Sequence, residues 1–341
     1  METRDYIANP AEAPRGTLAQ LFLEGVDRFG HKVAFQTINE DGSFRGASFR
    51  DVFHRVREVA GGLRTLGLAR GDRAAILSEN RPEWSQVDFG TVCSGIPLVP
   101  IHTNLSSGQI GYILEDSGAR VIFVSSPELL GRVTEAESSG AGGLKIILFD
   151  PVPQGGDDVI SWEEFLGRGR KAMEDTSDDD FRREALMVEP DDTTTILYTS
   201  GTTGDPKGVM LTHNNLFSNA RATAAVVPFD ETDGTLSFLP LSHSLQRLAD
   251  YLFFDSGMTI TYGRSMQTVP EDLRIAQPTK LVAPPRFYEK SFQKVMEQRG
   301  LKGFIVRWAR EVGEAWADEK LAGRKNPTIR CVEPTACPTL T

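Results

Sequence analysis

The stretch YTSGTTGDPKGVMLTH, from Tyr198 to His213, gathers three glycines, four threonines, one serine and one lysine into sixteen residues. Gly201, Gly204 and Gly208 open backbone conformations closed to other residues and let main-chain amides approach an anion closely. Thr199, Ser200, Thr202 and Thr203 add hydroxyl donors, Lys207 adds a mobile positive charge, and Pro206 stiffens the exit. That chemistry suits the holding of phosphate oxygens. A Gly/Thr-rich hairpin turn with no such role is the plain alternative, and the length of the run counts against it. The order Gly-Thr-Thr-Gly-Asp-Pro-Lys-Gly departs from the G-x-x-x-x-G-K-[ST] loop of nucleotide-hydrolysing proteins, which leads straight into a helix. A P-loop kinase or GTPase is rejected on that order.

The flanks say what positions the loop. TTILYTS is β-branched and aromatic, a buried strand entering it, and GVMLTH reads as a second short strand. Asn214 is placed to cap the helix NLFSNARATAAVV that follows. Further upstream, Thr17 caps a helix to Phe29 with Leu18, Leu21, Phe22 and Val26 on one face, and 32–38 alternates like a strand. Ser48 opens a helix whose apolar face is Phe49, Val52, Phe53, Val56, Val59, Ala60 and Leu63, and Gly67 stops it. Apolar strands at 73–80, 96–102, 119–126 and 144–150 then alternate with helical segments, one opened by Pro82. This alternation predicts an α/β fold with mainly parallel sheets covered on both faces and right-handed crossovers.

Residues 140–143 and the acidic EDTSDDD at 174–180 read as exposed connections, the acidic run as a solvated loop face and not a metal site. Phe304, Trp308, Val312 and Trp316 recur every four residues, an amphipathic helix whose aromatics are expected in a core. The final KNPTIRCVEPTACPTLT has three prolines and four threonines in seventeen residues and no period, so it reads as an irregular tail.

Composition narrows the field. The 341 residues exceed one simple core. Hydrophobic residues at 40 % and charged residues at 25 % are ordinary for a soluble protein, and the net charge of -10 speaks against a nucleic-acid surface. No apolar run approaches the ~18 residues that span a bilayer, and the charged N-terminus has no secretory pattern. Cys93, Cys331 and Cys337 make neither a disulfide framework nor a zinc site. Cytoplasm is the expected location, with peripheral membrane contact and oligomeric state left open. His31, His54 and His102 sit in no motif and read as structural or exposed.

YTSGTTGDPKGVMLTH resembles the phosphate-binding signature of the adenylate-forming superfamily, which includes acyl-CoA synthetases, luciferases and peptide-synthetase adenylation domains. The resemblance extends through SFRDVFHRVREVAGGLRTLGLARGDRAAILSENRPEW, GIPLVPIHTNLSSGQIGYILEDSGARVIFV and FLPLSHSLQR, over roughly residues 17–320. PTKLVAPPRFYEK is similar to a stretch of the long-chain fatty acyl-CoA ligases. The resemblance implies a large N-terminal domain of stacked α/β subdomains at 17–320, preceded by an arm at 1–16 and followed by the tail at 321–341. It implies that a carboxylate attacks the α-phosphorus of ATP to give an acyl-adenylate and pyrophosphate, after which CoA thiol displaces AMP. Ser200, Gly201, Thr202, Thr203 and Gly204 would hold the β- and γ-phosphates, with Lys207 assisting. Thr199 falls where some relatives place a Mg2+-contacting threonine. His243, in LPLSHS, matches a histidine near the acyl carboxylate, with a hydrogen-bonded loop histidine as the alternative. Tyr288 stands where some members have an aromatic gate to the acyl tunnel, with core packing as the alternative. The implied small molecules are fatty acid, ATP and CoA.

The sequence also departs from that family. The Tyr-Gly-x-Thr-Glu magnesium motif, the ribose-binding Thr-Gly-Asp and the small C-terminal catalytic domain are not found. YGRSM at 262–266 has only the Tyr-Gly, and Thr203-Gly204-Asp205 belongs to the phosphate loop. The ending is what a truncation or a reading-frame change near residue 322 would produce. Besides a fatty acyl-CoA ligase, two readings stay in play: a non-catalytic remnant that binds nucleotide or acyl chains, and an aryl- or amino-acid-adenylating relative.

Overall fold

The computed structural model describes residues 14–137, 143–151, 159–199, 205–297 and 299–322. Helix α1 (Leu18–Phe29) buries Leu18, Leu21, Phe22 and Val26, and the Thr17 hydroxyl closes its first turn by accepting from the Gln20 amide at 3.1 Å. Strands β1 (Val33–Ile38) and β2 (Phe44–Ser48) pair antiparallel and lead into α2 (Phe49–Thr65). There Ser48 and Asp51 form a reciprocal capping box, and Gly67, at φ 73°, ends the helix in the left-handed region.

The alternating segments follow as expected: β3 (Arg73–Leu77), α3 (Pro82–Ser94), β4 (Leu98–Ile101), α4 (Ser107–Ser117), β5 (Ala119–Val124), α5 (Pro127–Glu137), β6 (Lys145–Leu148) and β7 (Val159–Ser161). After them come α6 (Trp162–Ala172), α7 (Asp178–Ala185), β8 (Thr193–Thr199), β9 (Lys207–Thr212), α8 (His213–Val226), β10 (Gly234–Ser237), α9 (Ser244–Asp255), β11 (Thr259–Tyr262) and α10 (Val269–Ala276). Seven strands form a sheet in the order β7-β6-β5-β3-β4-β8-β9, parallel except for the antiparallel β8/β9 pair. A second sheet runs β10-β11-β1-β2, parallel except for β1/β2. The expected α/β fold with mainly parallel sheets is what the chain adopts.

Alternation within each strand explains the two-sided burial. Ala75 and Leu77 of β3 and Ile122 and Val124 of β5 pack with Ile110, Leu114, Leu129 and Val133 of α4 and α5. Phe123, between them on β5, points the other way and meets Phe165 of α6, ring centroids 5.4 Å apart. On that second face α2 and α6 cross almost backbone to backbone. A Cβ on Gly169 would stand 1.9 Å from the Glu58 carbonyl oxygen. An aromatic cluster lies beneath the four-stranded sheet, with Phe254 at 4.5 Å from Phe49, 4.9 Å from Phe89 and 5.4 Å from Phe22.

Three local expectations are corrected. The acidic run at 174–180 is exposed, but its second half is helix. Ser177 accepts from the Asp180 amide at 3.1 Å, and Asp178, Asp179 and Asp180 occupy the first turn of α7, where their charge complements the helix dipole. The cap of α8 is Thr212, in a reciprocal box with Asn215; Asn214 instead accepts from the Gly16 amide at 3.2 Å. The third concerns the aromatics of the 304–320 helix.

The chain divides into two units between Leu281 and Val282. The second contains α11 (Pro285–Met296) and α12 (Gly300–Leu321), which touch each other, with Arg310 over the Phe292 ring at 5.9 Å. Among the described residues Phe304, Trp308 and Trp316 are exposed. Residues 323–341, with Cys331 and Cys337, lie outside the described residues. Cys93 is buried as a free thiol. Among the described residues no helix is long and apolar enough to cross a membrane.

Candidate active site

The signature stretch forms the β8/β9 hairpin at one edge of the seven-stranded sheet, in the register Leu197↔Val209, Tyr198↔Gly208, Thr199↔Lys207. Thr199 and Lys207 therefore face each other as the last paired residues at the mouth of the loop, and both are exposed. Ser200, Gly201, Thr202, Thr203 and Gly204 lie outside the described residues. Gly208 is forced by packing: a Cβ there would sit 2.8 Å from the Ile196 side chain. Tyr198 donates its hydroxyl to Asp116 at 2.5 Å, tying the hairpin to the end of α4, and burial together with that carboxylate pushes its phenol pKa well up.

His213, the last residue of the signature, is not part of the loop mouth. It is buried at the start of α8, where its Nδ1 accepts from the Leu18 amide at 3.4 Å. Burial pushes its pKa down to about 4, so the ring is neutral. Its Nε2 has no hydrogen-bond partner among the described residues.

His243 ends the loop that follows β10 and is the N-cap of α9. Its Nδ1 accepts from the Leu245 amide at 3.2 Å, so in that hydrogen bond Nε2 is the nitrogen that carries the proton. The loop is held from two neighbouring strands of the other sheet. Asn80, just beyond β3, donates to the Leu239 carbonyl at 2.7 Å and accepts from the Leu241 amide at 2.9 Å. His102, just beyond β4, shares a 2.6 Å hydrogen bond with Ser242, and burial, with His243 close by, lowers its pKa. His102 is thus held in the structure by Ser242. These groups meet at the carboxyl ends of parallel strands, where ligands bind in open α/β sheets.

Below His243, α9 is anchored by a polar network. The Arg247 guanidinium bonds Asp88 of α3, with Nε at 3.0 Å from Oδ2, and its Nη1 donates to the Thr195 hydroxyl of β8 at 2.6 Å. Tyr251 donates to the same Asp88 oxygen at 2.6 Å, and Thr195 in turn donates to the Leu98 carbonyl of β4 at 2.6 Å. Burial opposes the charge on Arg247, and Asp88 and Tyr251 outweigh it, so its basicity rises. Thr195 lies on the strand that ends at Thr199, so one network ties the hairpin, the central sheet and the His243 helix together. Asp88, Arg247, Asn80 and His102 carry no sequence signal as a group.

Tyr288 lies on α11 in the second unit, 51 % exposed, with its ring 5.9 Å from that of Phe287. It does not pack into a core.

Comparison with known proteins decides the family. The AMP-binding enzyme family matches residues 22–332. This chain is an AMP-binding family member. A long-chain-fatty-acid–CoA ligase from Xenopus laevis is 29 % identical over 322 residues, 89 % of this chain and 42 % of the relative. A chloroplastic long-chain-fatty-acid–[acyl-carrier-protein] ligase from Arabidopsis thaliana is 29 % identical over 286 residues, 82 % of this chain and 39 % of the relative. The chain thus spans about two fifths of the length of these curated relatives. Among solved structures, an anthranilate CoA ligase in complex with anthranoyl-AMP superposes with a TM-score of 0.70 at 23 % identity, over 83 % of this chain and 53 % of that one. The likeness to it is one of fold.

Proposed function

We propose that this chain carries the pyrophosphate-handling and carboxylate-facing part of an ATP-dependent, AMP-forming long-chain fatty acid–CoA ligase. The observation that carries the reading is the Thr199↔Lys207 register pair, which sets the lysine at the mouth of the family's signature loop. In this reading the ATP triphosphate lies across that mouth. The hydroxyls of Thr199, Ser200, Thr202 and Thr203 and the amides at Gly201 and Gly204 take the β- and γ-oxygens. Lys207 offsets the charge that builds on pyrophosphate as the fatty carboxylate attacks the α-phosphorus. His243 presents its Nε2–H to the carboxylate, because Nδ1 is already engaged by the helix cap. CoA thiol then displaces AMP from the acyl-adenylate.

Mg2+ belongs with ATP in such chemistry and is bound by carboxylates together with substrate phosphates. Among the described residues no group of three or more His, Cys, Asp or Glu side chains gathers to hold a metal, and Thr199 alone offers one hydroxyl.

The test is fatty-acid-dependent ATP–pyrophosphate exchange by the 341-residue chain. Lys207→Ala should lower exchange about 100-fold, the scale of losing one preorganised charge-stabilising group. Exchange that proceeds equally well in that variant would sink the role of Lys207. A second reading, an aryl-acid ligase, is favoured by the fold shared with the anthranilate CoA ligase; exchange driven by aryl acids and not by fatty acids would select it. Binding of ATP or fatty acid without exchange would select the non-catalytic reading.

A further inference from the structure

A cleft of ≈ 770 Å³ opens between the end of α1, the start of α2 and α7, lined by Arg28, His31, Lys32, Arg50, His54 and Arg182. That is a concentration of cationic and imidazole side chains on a chain whose net charge is -10. Two carboxylates also line it, and both are engaged: Asp27 by Arg182 at 2.9 Å and Asp178 by Arg57 at 3.4 Å. Asp51, beside His54 in sequence, is committed to the Ser48 cap. Arg28 donates to the Asp255 carbonyl at 3.1 Å and stands 3.8 Å from the Asp255 carboxylate.

Two cations remain. Arg50 is exposed, and among the described residues no carboxylate pairs with it. Lys32 donates to the Thr259 hydroxyl at 2.9 Å; burial lowers its pKa, and the nearby Glu231 carboxylate works against that. The α2 backbone donors are already used, Phe49 on the Lys32 carbonyl and Arg50 on the Gly30 carbonyl, both at 2.9 Å. An anion here would therefore be held by side chains and not by the helix terminus. Phe29 and Phe53 supply an apolar wall, with the Arg28 and Arg182 guanidinium carbons 4.7 and 4.8 Å from their ring centroids.

The geometry points to a second anion site, remote from His243, that takes a soluble phosphate ester or pyrophosphate-bearing small molecule. Arg50 and Lys32, both lining the cleft, would supply positive charge to such an anion. The two imidazoles extend the donor set, and the volume lies within the range of small-molecule sites. Remoteness follows from α9: Arg28 bonds its Asp255 end, and twelve residues of helix, about 18 Å, separate that end from His243.

The test uses the 341-residue chain carrying Lys207→Ala, which weakens the signature loop, titrated calorimetrically with inorganic pyrophosphate at low salt. A saturable site is expected, weakened about tenfold or more by Arg50→Glu and kept by Arg50→Lys. Arg50 is exposed, and matched unfolding midpoints will show that both variants fold. Parent-like affinity in Arg50→Glu, or no saturable binding, overturns the proposal. A parallel arm offers phosphatidylcholine vesicles containing phosphatidic acid. Capture of the chain by these vesicles without binding of soluble pyrophosphate assigns the cleft to a lipid headgroup and overturns the soluble-ligand reading.

Discussion

Arg247 and Asp88 meet in the interior with Nε 3.0 Å from Oδ2, their side chains 2 % and 3 % exposed. Removing one partner leaves a buried charge without compensation. Arg247→Met is therefore expected to cost about 3–5 kcal/mol, well above a surface pair. Adding Asp88→Leu should return much of the loss, since an apolar pair of similar volume needs no desolvation. Urea unfolding of the two single variants and the double variant measures the coupling. Strict additivity of the two single losses would show that the pair does not act as a unit.

Asn80 clamps the His243 loop through the Leu239 carbonyl and the Leu241 amide. Asn80→Ala removes both bonds and is expected to cost about 2 kcal/mol. The loss should be local. Hydrogen exchange at the Leu241 amide should quicken while amides in β5 stay protected, because Asn80 bonds the end of β10 and the loop that follows it. Unchanged exchange at Leu241 would mean that the loop holds its shape without Asn80.

Much of the fold was legible because local rules agreed with the global ones. The Thr17 and Ser48 caps, the stop at Gly67 and the apolar strands of the parallel sheet all stand where pattern placed them. The start of α7 was legible too, since Ser177 followed by three acids is a helix-start signature, and the acidic run masked it. The support of the site could not be read. Arg247 finds Asp88 159 residues away, and His102 finds Ser242 140 away, through the meeting of two sheets that no spacing encodes. The aromatics of the 304–320 helix misled because an apolar stripe shows what could be buried, not what covers it.

Gly169 and Gly167 share α6 and should respond oppositely to alanine. In an open helix this change gains up to about 1 kcal/mol. Gly167 has nothing within 4 Å of a new Cβ, so Gly167→Ala should stabilise. At Gly169 the new Cβ would sit 1.9 Å from the Glu58 carbonyl oxygen and 2.7 Å from the Gly62 amide nitrogen, both backbone atoms that cannot rotate away. Overpacking of this kind costs about 1–3 kcal/mol and outweighs the propensity gain. A Gly169→Ala variant as stable as its parent would show that α2 and α6 separate freely.

His213 and Asp250 pull the pH dependence of stability in opposite directions. Burial pushes the His213 pKa down from 6.5 to about 4. Its neutral ring contributes fully above pH 6.5, and that contribution is lost as the unfolded chain takes up a proton between 6.5 and 4, about 3 kcal/mol in all. Asp250 is raised from 3.8 to about 7, chiefly by burial, against the opposing hydrogen bonds from Gln246 and Ser237. The folded chain keeps a proton there that the unfolded chain sheds, so this contribution is present below 3.8 and lost as pH rises through about 7. Its full size is on the order of 4 kcal/mol. The two largely cancel between pH 4.5 and 7, and the parent should show a shallow profile there. Asp250→Asn should lose stability steadily on acidification across that window, whereas His213→Gln, which keeps an acceptor for the Leu18 amide, should gain it. Urea midpoints at half-unit pH steps read both slopes, and parallel profiles for all three proteins would refute the opposed pair.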